Sequence, residues 1–298
     1  MAKARALDKR RKSIKNIRKI TRTMELVATA QFRRAMERAI AAGSYSERVV
    51  RLVADLARAG GDVSHPLLDK RESSKKAVLL ILTANRGMCG GYNGGVLRTA
   101  VARFEELKRT FENVELYVVG KRGFSYLTYR NYKVARSFFE FDDKPAFAEV
   151  DAIASELLER YQTGEIDRLD VVYSKFYSIS KQRPTAETLL PLAALAAEAV
   201  ADEGAEEASS AGNLQFEFLP SPRSVLEEIV PTAFKVEAFK CFLDAAVGEQ
   251  IARMVAMKAA TENADEMISS LTTTYNRARQ GQITNEILEV VGGANALS

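Results

Sequence analysis

The segment TANRGMCGGYN, residues 83–93, places three glycines directly after the apolar run AVLLIL. A strand that leads through such a turn into a helix can bind a phosphate group, because backbone N–H groups then point at the anion. The dinucleotide pattern G-x-G-x-x-G is absent: counting from Gly87 puts Cys89 at the second glycine position, and counting from Gly91 fails in the same way. We therefore interpret Gly87, Gly90 and Gly91 as a structural turn.

Other catalytic patterns are also missing from the sequence. The only Gly-Lys pair, Gly120-Lys121, is followed by Arg122, whereas a phosphate-binding P-loop requires Ser or Thr there. Lys121 and Arg122 also occupy the positions where a dinucleotide-binding protein would have an acidic residue to hold the ribose. A single histidine, His65, provides neither a histidine metal site nor a Ser-His-Asp triad. We predict no catalytic site, cofactor or metal on this chain.

The composition indicates a folded protein with one or two domains. The chain has 298 residues, of which 47% are hydrophobic and 28% charged. No apolar run reaches the roughly 18 residues of a membrane span, and the first residues lack the apolar centre of a secretory signal. Cys89 and Cys241 lie far apart, so we predict small buried thiols in a reducing compartment. We expect the protein in the cytosol or on the cytosolic face of a membrane.

Positive charge is concentrated at the N-terminus. Residues 1–40 contain thirteen Lys or Arg against Asp8, Glu25 and Glu37, although the net charge of the chain is only +4. Such a block is typical of a nucleic-acid arm, a transit peptide or a helix that meets an acidic protein. The helical pattern continues past residue 50, which disfavours a transit peptide. Residues 1–31 contain no aromatic side chain, which disfavours nucleic acid.

Both ends of the chain have the periodicity of long helices. The first helix extends to Gly60-Gly61, and the last extends from Pro231 to Gly292-Gly293. The predicted apolar seams are Ile17, Ile20, Met24 and Val27 in the first helix and Ile268, Leu271, Tyr275 and Ala278 in the last.

These helices are too long for the domain between them. At about 1.5 Å per residue they would span about 80 and 90 Å. A domain of about 150 residues is only about 40 Å across. We therefore predict an antiparallel coiled coil that projects from the domain and is wrapped by a partner.

The middle of the chain alternates strands and helices. We predict strands at 77–82, 114–120, 134–139, 169–178 and 183–192, with helices at 96–111, 121–129 and 147–161. A surface loop is predicted at 194–212 and a further strand at 214–220. The predicted fold is α/β: a Rossmann-like domain plus the coiled coil, divided as 1–60, 70–220 and 222–298.

Three segments carry a family resemblance: SIKNIRKITRTMELVATAQFRRA (13–35), the glycine turn (83–93), and residues 253–297, which contain the pattern I-T-x-E-x-x-E. Together they resemble the gamma subunits of F-type (F1Fo) ATP synthases over essentially the whole chain. The resemblance implies a central-stalk rotor that couples ion-driven c-ring rotation to ATP synthesis in the beta subunits, or to ion pumping in reverse. It implies the partners alpha and beta in an alpha3beta3 ring, the epsilon subunit and the c-ring.

The resemblance also implies a location and a set of coupling contacts. The expected location is the cytoplasmic face of a bacterial plasma membrane, as a peripheral protein. The positions that match shaft contacts to beta are Met24, Arg253, Gln280, Thr284 and Glu286. Phe218 and Leu219 replace the Tyr and Glu often found near the c-ring in the family. The alternative interpretation is a basic coiled-coil protein that binds nucleic acid.

Overall fold

The computed structural model describes residues 2–59, 67, 75–141, 144–192 and 222–297. The helices are α1 (Ala2–Ala59), α2 (Tyr92–Thr110), α3 (Lys121–Tyr129), α4 (Phe147–Gln162) and α5 (Pro222–Leu297). The strands are β1 (Lys76–Leu82), β2 (Asn113–Val119), β3 (Val134–Phe138), β4 (Arg168–Ser178) and β5 (Lys181–Leu190). The predicted α/β fold class, with long helices at both ends, is confirmed.

The strands form a five-stranded sheet in the order β3-β2-β1-β4-β5. The first four of these strands are parallel, and β5 pairs antiparallel with β4. Central β1 is buried on both faces after its first residue, which explains its continuous apolar sequence. Leu79 and Ile81 face α2 and α3, whereas Leu80 faces the side covered by α4 and α5. The sheet is therefore sandwiched between helices.

The strands and helices predicted between residues 77 and 192 all occur, with shifted boundaries. Helix α2 begins at Tyr92 and not at residue 96, so the glycines at 94 and 95 belong to its first turn. Both cysteines are buried and free, as predicted. His65, the loop at 194–212, the strand at 214–220 and the pair Phe218 and Leu219 lie outside the described residues.

A buried ion cluster fastens α2 to the sheet. The carboxylate of Asp170, on β4, is fully buried and accepts hydrogen bonds from Arg103 Nε at 2.7 Å and Arg168 Nε at 2.8 Å. Arg168 also donates to the Thr188 hydroxyl on β5 at 2.6 Å. A buried carboxylate is stable only when such donors replace its water. The cluster thereby links α2, β4 and β5.

The sequence suggested that the last helix begins at Pro231, but the helix begins earlier. Helix α5 begins at Pro222 and continues through Pro231. Proline cannot donate the backbone hydrogen bond of an interior helical residue, which costs stability. The neighbouring Val230 and Phe234 are completely buried in the core, and the Thr232 hydroxyl donates to Glu228 O at 3.0 Å. Core packing therefore outweighs the local preference of the proline.

Contacts between Cα atoms divide the chain into two units. The sheet unit is residues 30–252, and the helix-pair unit is residues 1–29 with 253–298. Within the sheet unit, the two long helices share a small apolar cluster made by Phe32, Ala35, Ala39, Leu243, Val247 and Ile251. Both α1 and α5 thus contribute residues to each unit.

Candidate functional site: the helix pair and the glycine turn

In the helix-pair unit, α1 and α5 run antiparallel. The Arg11 guanidinium lies over the ring of Tyr275, with 4.8 Å between its central carbon and the ring centroid. Arg18 Nε lies 2.6 Å from Asp265 Oδ1. The Thr261 hydroxyl donates to the Thr21 hydroxyl at 2.9 Å. Residue numbers that rise along α1 therefore meet numbers that fall along α5, as predicted for an antiparallel coiled coil.

The seam of α1 differs from the predicted one. Thr21 and Ala28 are buried, whereas Ile17, Ile20 and Val27 are each at least half exposed. Small side chains lie in the seam because they let two helices approach closely, and a larger residue would hold them apart. The predicted seam is thus wrong for those three residues, which face outward.

The seam of α5 agrees with the sequence analysis. Ile268, Leu271, Tyr275 and Ala278 are all partly buried, and the residues between them are mostly exposed. The same heptad row continues towards the N-terminus of α5 through Ala264, Thr261 and Met257, which are buried.

Large apolar side chains cover the outside of the helix-pair unit. Those more than two-fifths exposed are Ile17, Ile20, Leu26 and Val27 on α1, and Val255, Met267, Ile283, Ile287, Leu288, Val290 and Val291 on α5. A long exposed apolar surface on a folded protein marks a surface that a partner covers.

Basic side chains lie among these apolar groups on α1. Lys9, Arg10, Lys15 and Lys19 are all exposed or partly exposed. Hydrogen bonds from Lys12 and Arg11 lower the pKa of Asp8, so this carboxylate stays ionised and its charge is balanced by these two neighbours. The surface therefore combines apolar contact area with positive charge.

The five residues matched to shaft contacts all lie in the helix-pair unit. Met24 and Arg253 are partly buried, whereas Gln280, Thr284 and Glu286 are exposed. The Thr284 hydroxyl donates to Gln280 O at 3.0 Å, and Glu286 Oε1 accepts from Gln282 Nε2 at 2.7 Å. Gln280, Thr284 and Glu286 form one exposed group within two helical turns. Arg253 lies twenty-seven positions earlier on the same helix.

The glycine turn is tied together by side-chain amides. Asn93 Oδ1 accepts from the backbone N–H of Ala84 at 2.9 Å, and Asn85 Oδ1 accepts from that of Lys121 at 3.1 Å. Asn85 Nδ2 also donates to Phe141 O at 2.6 Å. Backbone donors at the ends of β1 and β2 are thus used within the protein. In a phosphate site such donors would face the ligand.

The three glycines of the turn have different surroundings. Gly90 has φ of 53°, in the left-handed region that favours glycine. A Cβ atom on Gly87 would lie 3.0 Å from Arg122 Nη2, whereas one on Gly91 would meet no atom within 4 Å. Backbone conformation therefore accounts for Gly90, whereas the groups nearest to a Cβ on Gly87 belong to the exposed Arg122 side chain, which can move aside.

Helix α5 occupies the edge of the sheet where α/β proteins commonly bind nucleotides. In such folds the ligand lies beyond the carboxyl ends of the parallel strands. Here the Tyr92 hydroxyl donates to Ala245 O on α5 at 3.1 Å. The cavity left between them, lined by residues that include Asn85, Arg86 and Glu249, has a volume of about 40 Å³. Ligand pockets usually measure about 300 Å³ or more.

Two further features bear on function. Among the described residues, no three His, Cys, Asp or Glu side chains are grouped as a metal site would require. No helix in the described ranges is long and apolar enough to cross a membrane.

Comparison with known proteins identifies the family. The ATP synthase family model matches residues 3–297. An ATP synthase gamma chain of Rhodopirellula baltica is 56% identical over 297 residues, covering 100% of this chain and 99% of the relative. That of Leptospira biflexa is 38% identical over 298 residues, with all of both chains covered. The chain belongs to the ATP synthase gamma-chain family. It is therefore a subunit of an ATP synthase complex, and nothing supports the nucleic-acid alternative.

Solved structures share the fold. A chain in the mitochondrial ATP synthase of Euglena gracilis, solved with its F1 part and c-ring, superimposes with a TM-score of 0.63 at 19% identity. The match covers 99% of this chain and 95% of that one. A central-stalk chain of the Tetrahymena thermophila enzyme has a TM-score of 0.59 at 19% identity, with 81% and 99% covered. The long helices and the sheet thus recur in ATP synthase chains of low sequence identity.

Proposed function

We propose that this chain is the central-stalk rotor of an F-type ATP synthase, and that its helix-pair unit is the shaft that turns inside a ring of alpha and beta subunits. The observation that carries the proposal is the outward-facing apolar and basic surface of the helix pair in a member of the gamma-chain family. The apolar side chains supply contact area to a surrounding sleeve. The basic side chains of α1 would face acidic loops of beta.

Rotation changes catalysis only if the shaft is asymmetric. Three chemically identical beta subunits can differ at one moment only through different contacts with one rod, because a ligand shifts a conformational equilibrium by its differential affinity. Two unlike helices provide that asymmetry. We assign Met24, Arg253, Gln280, Thr284 and Glu286 to contacts with beta, on the family resemblance of their positions.

We further propose that the sheet unit has no catalytic site of its own. The backbone N–H groups of Ala84 and Lys121 are bonded internally, and α5 occupies the strand edge where a nucleotide would lie. The unit instead provides the surface on which the c-ring and the epsilon subunit act. Chemistry then takes place on beta, while this chain transmits rotation driven by the ion flow. Its place is the cytoplasmic face of the bacterial plasma membrane, as a peripheral subunit.

A rotation assay tests the proposal. Tyr129, at the end of α3, is 85% exposed, whereas Cys89 and Cys241 are buried. A Tyr129→Cys variant therefore offers a selective attachment point for a bead or fluorophore. In a complex with alpha and beta fixed to a surface, the probe should rotate in one direction when ATP is added. An assembled complex that hydrolyses ATP without probe rotation, or that hydrolyses ATP cooperatively without this chain, would refute the rotor assignment.

A further inference from the structure

A buried polar cluster lies between α5, β4, β5 and α1 in the sheet unit. On β4 and β5, Glu187 accepts hydrogen bonds from the Tyr173 hydroxyl at 2.6 Å and from Lys175 Nζ at 2.7 Å. On the helix side, Glu237 accepts from the Ser46 hydroxyl of α1 and lies 3.4 Å from Lys240 Nζ. These pairs place ionised groups within the packing of α5 on the sheet.

Helix α5 lies very close to β4 at this place. A Cβ atom on Gly248 would come within 3.0 Å of the Ser174 hydroxyl oxygen. Cys241 is completely buried, and Ser174 is 5% exposed. The contact thus excludes most water, so a charge that lacks a direct partner is costly there.

Asp244 differs from the other carboxyl groups of the cluster in its ion pairing. The other two carboxylates, Glu187 and Glu237, each have a lysine within 4 Å, whereas the described ion pairs give none to Asp244, which is 6% exposed. The described cluster therefore holds three carboxyl groups and two ammonium groups. Burial raises the pKa of Asp244 to about 7, although Lys240 and the Phe176 backbone N–H lower it. Glu237 and Glu187 raise it further.

We propose that Asp244 makes the attachment of α5 to the sheet sensitive to protons: the helix is held firmly while the carboxyl group carries a proton, and the attachment weakens when the proton leaves. The groups that act on Asp244 are Lys240, Glu237 and Cys241 on α5, Tyr173 and the Phe176 backbone N–H on β4, and Glu187 on β5. Lys175 on β4 and the neutral Ser46 on α1 belong to the same cluster through their hydrogen bonds to Glu187 and Glu237. Losing the proton leaves the cluster with one more negative than positive charge.

The consequence for rotation rests on the proposed rotor function. If torque enters through the sheet unit, it reaches α5 through this packed contact. A weaker contact at alkaline pH would let the sheet unit yield under load, so that fewer ions are moved for each ATP hydrolysed. Mild acidification would tighten the same contact.

The sign of the stability effect follows from linkage. The carboxyl pKa is higher in the folded chain than in the unfolded chain, so the folded state binds more protons between about pH 4 and pH 7. Stability from this group is therefore present at low pH and is lost as the pH rises through about 7. With a carboxyl pKa of about 7 in the folded chain and 3.8 in the unfolded chain, the unfolding equilibrium constant should increase about tenfold from pH 6 to pH 8.

Urea unfolding of the purified full chain at pH 6 and pH 8 tests the proposal. The wild-type unfolding equilibrium constant should contain a factor of about ten between these pH values that comes from Asp244. The Asp244→Asn variant has no titrating group at this position, so its unfolding equilibrium constant should lack that factor. The matched control is Asp151→Asn: Asp151 also contacts α5, at 2.8 Å from Lys235, but its side chain is 34% exposed. The control should keep the wild-type pH dependence. An unchanged pH dependence in Asp244→Asn would overturn the proposal.

Two further measurements keep the test independent of variant folding and of the rotor assignment. Infrared spectra of the wild-type chain with labelled aspartate should show a protonated carboxyl band that disappears between pH 6 and pH 8, and its absence at pH 6 would overturn the proposal. In reconstituted vesicles, ions moved per ATP should fall from pH 6 to pH 8 in wild type but not in Asp244→Asn. A wild-type ratio of ions moved per ATP that is equal at pH 6 and pH 8 would overturn the link to rotation. The urea unfolding experiment would still decide whether Asp244 controls the attachment of α5. A chain that fails to assemble would refute the rotor function alone.

Discussion

Gln280 and Thr284 lie one helical turn apart on the exposed side of α5, so their contribution to folding can be separated from their contribution to coupling. The only described bond between them runs from the Thr284 hydroxyl to Gln280 O at 3.0 Å, within the helix itself. Exposed substitutions of this kind change the free energy of unfolding by about 0.5 kcal/mol or less, and alanine is the better helix former. The Gln280→Ala, Thr284→Ala double variant should therefore fold and assemble normally.

Loss of contact with beta should be larger than this folding effect. A hydrogen bond to a partner is worth about 1 kcal/mol, so two lost bonds amount to about 2 kcal/mol. Since about 1.4 kcal/mol is a factor of ten, ATP turnover of the assembled complex should slow roughly 10- to 30-fold. The assay is steady-state ATP hydrolysis at matched subunit stoichiometry, together with urea unfolding of the free chain.

The matched control uses Thr273 and Thr274 of the same helix. Their side chains are exposed and their hydroxyls donate to the carbonyls four residues earlier, as in Thr284. Replacing both by alanine should leave turnover at the wild-type rate. Wild-type turnover in the Gln280 and Thr284 double variant would show that these side chains are passive, and equal slowing in the control would show a general effect of the helix surface. Either result refutes the assignment.

Four further outcomes are expected for the free chain. Asp170→Ala leaves two arginines beside a buried site without their carboxylate, and urea unfolding should show a loss of about 3 to 5 kcal/mol. Gly120→Ala should cost about 3 kcal/mol, because its φ is 95° and the added Cβ would lie 2.1 Å from Thr83 O. By contrast, Gly43→Ala should stabilise by about 0.5 to 1 kcal/mol, because Gly43 is helical and open space surrounds its Cβ position. Calorimetry should detect no ATP binding at micromolar affinity, and binding that is lost in a folded Gly90→Val variant would contradict the structural interpretation of the turn.

Local sequence patterns predicted the sheet unit well because each pattern reports a property of one element. The continuous apolar run of β1 indicates a strand buried on both faces, and the structure places it at the centre of the sheet. The failed glycine spacing was visible in the sequence. The position of α5 at the edge where a nucleotide would bind was not visible in the sequence, because it depends on a contact between Tyr92 and Ala245, which are 153 positions apart.

The helix pair shows where periodicity was insufficient. A regular apolar row predicted the seam of α5, but on α1 the largest apolar side chains were mistaken for the seam, which is formed by small residues such as Thr21 and Ala28. Helix α1 carries a row of large apolar side chains and a row of small side chains, and residue order does not specify which of them faces the partner helix. Close approach of two helices selects the small row, and the larger side chains remain for a surrounding protein.

The sequence alone determined the family, the two long helices, the α/β middle region and the absence of phosphate-binding spacing, because these depend on residue order and local periodicity. The tertiary structure alone decided that α5 continues through Pro231, that Asp170 lies between two arginines, and that Asp244 is buried near the carboxyl groups of Glu187 and Glu237. These features join residues distant in the chain. Their energies depend on burial and on the distance between charges, which residue order does not specify.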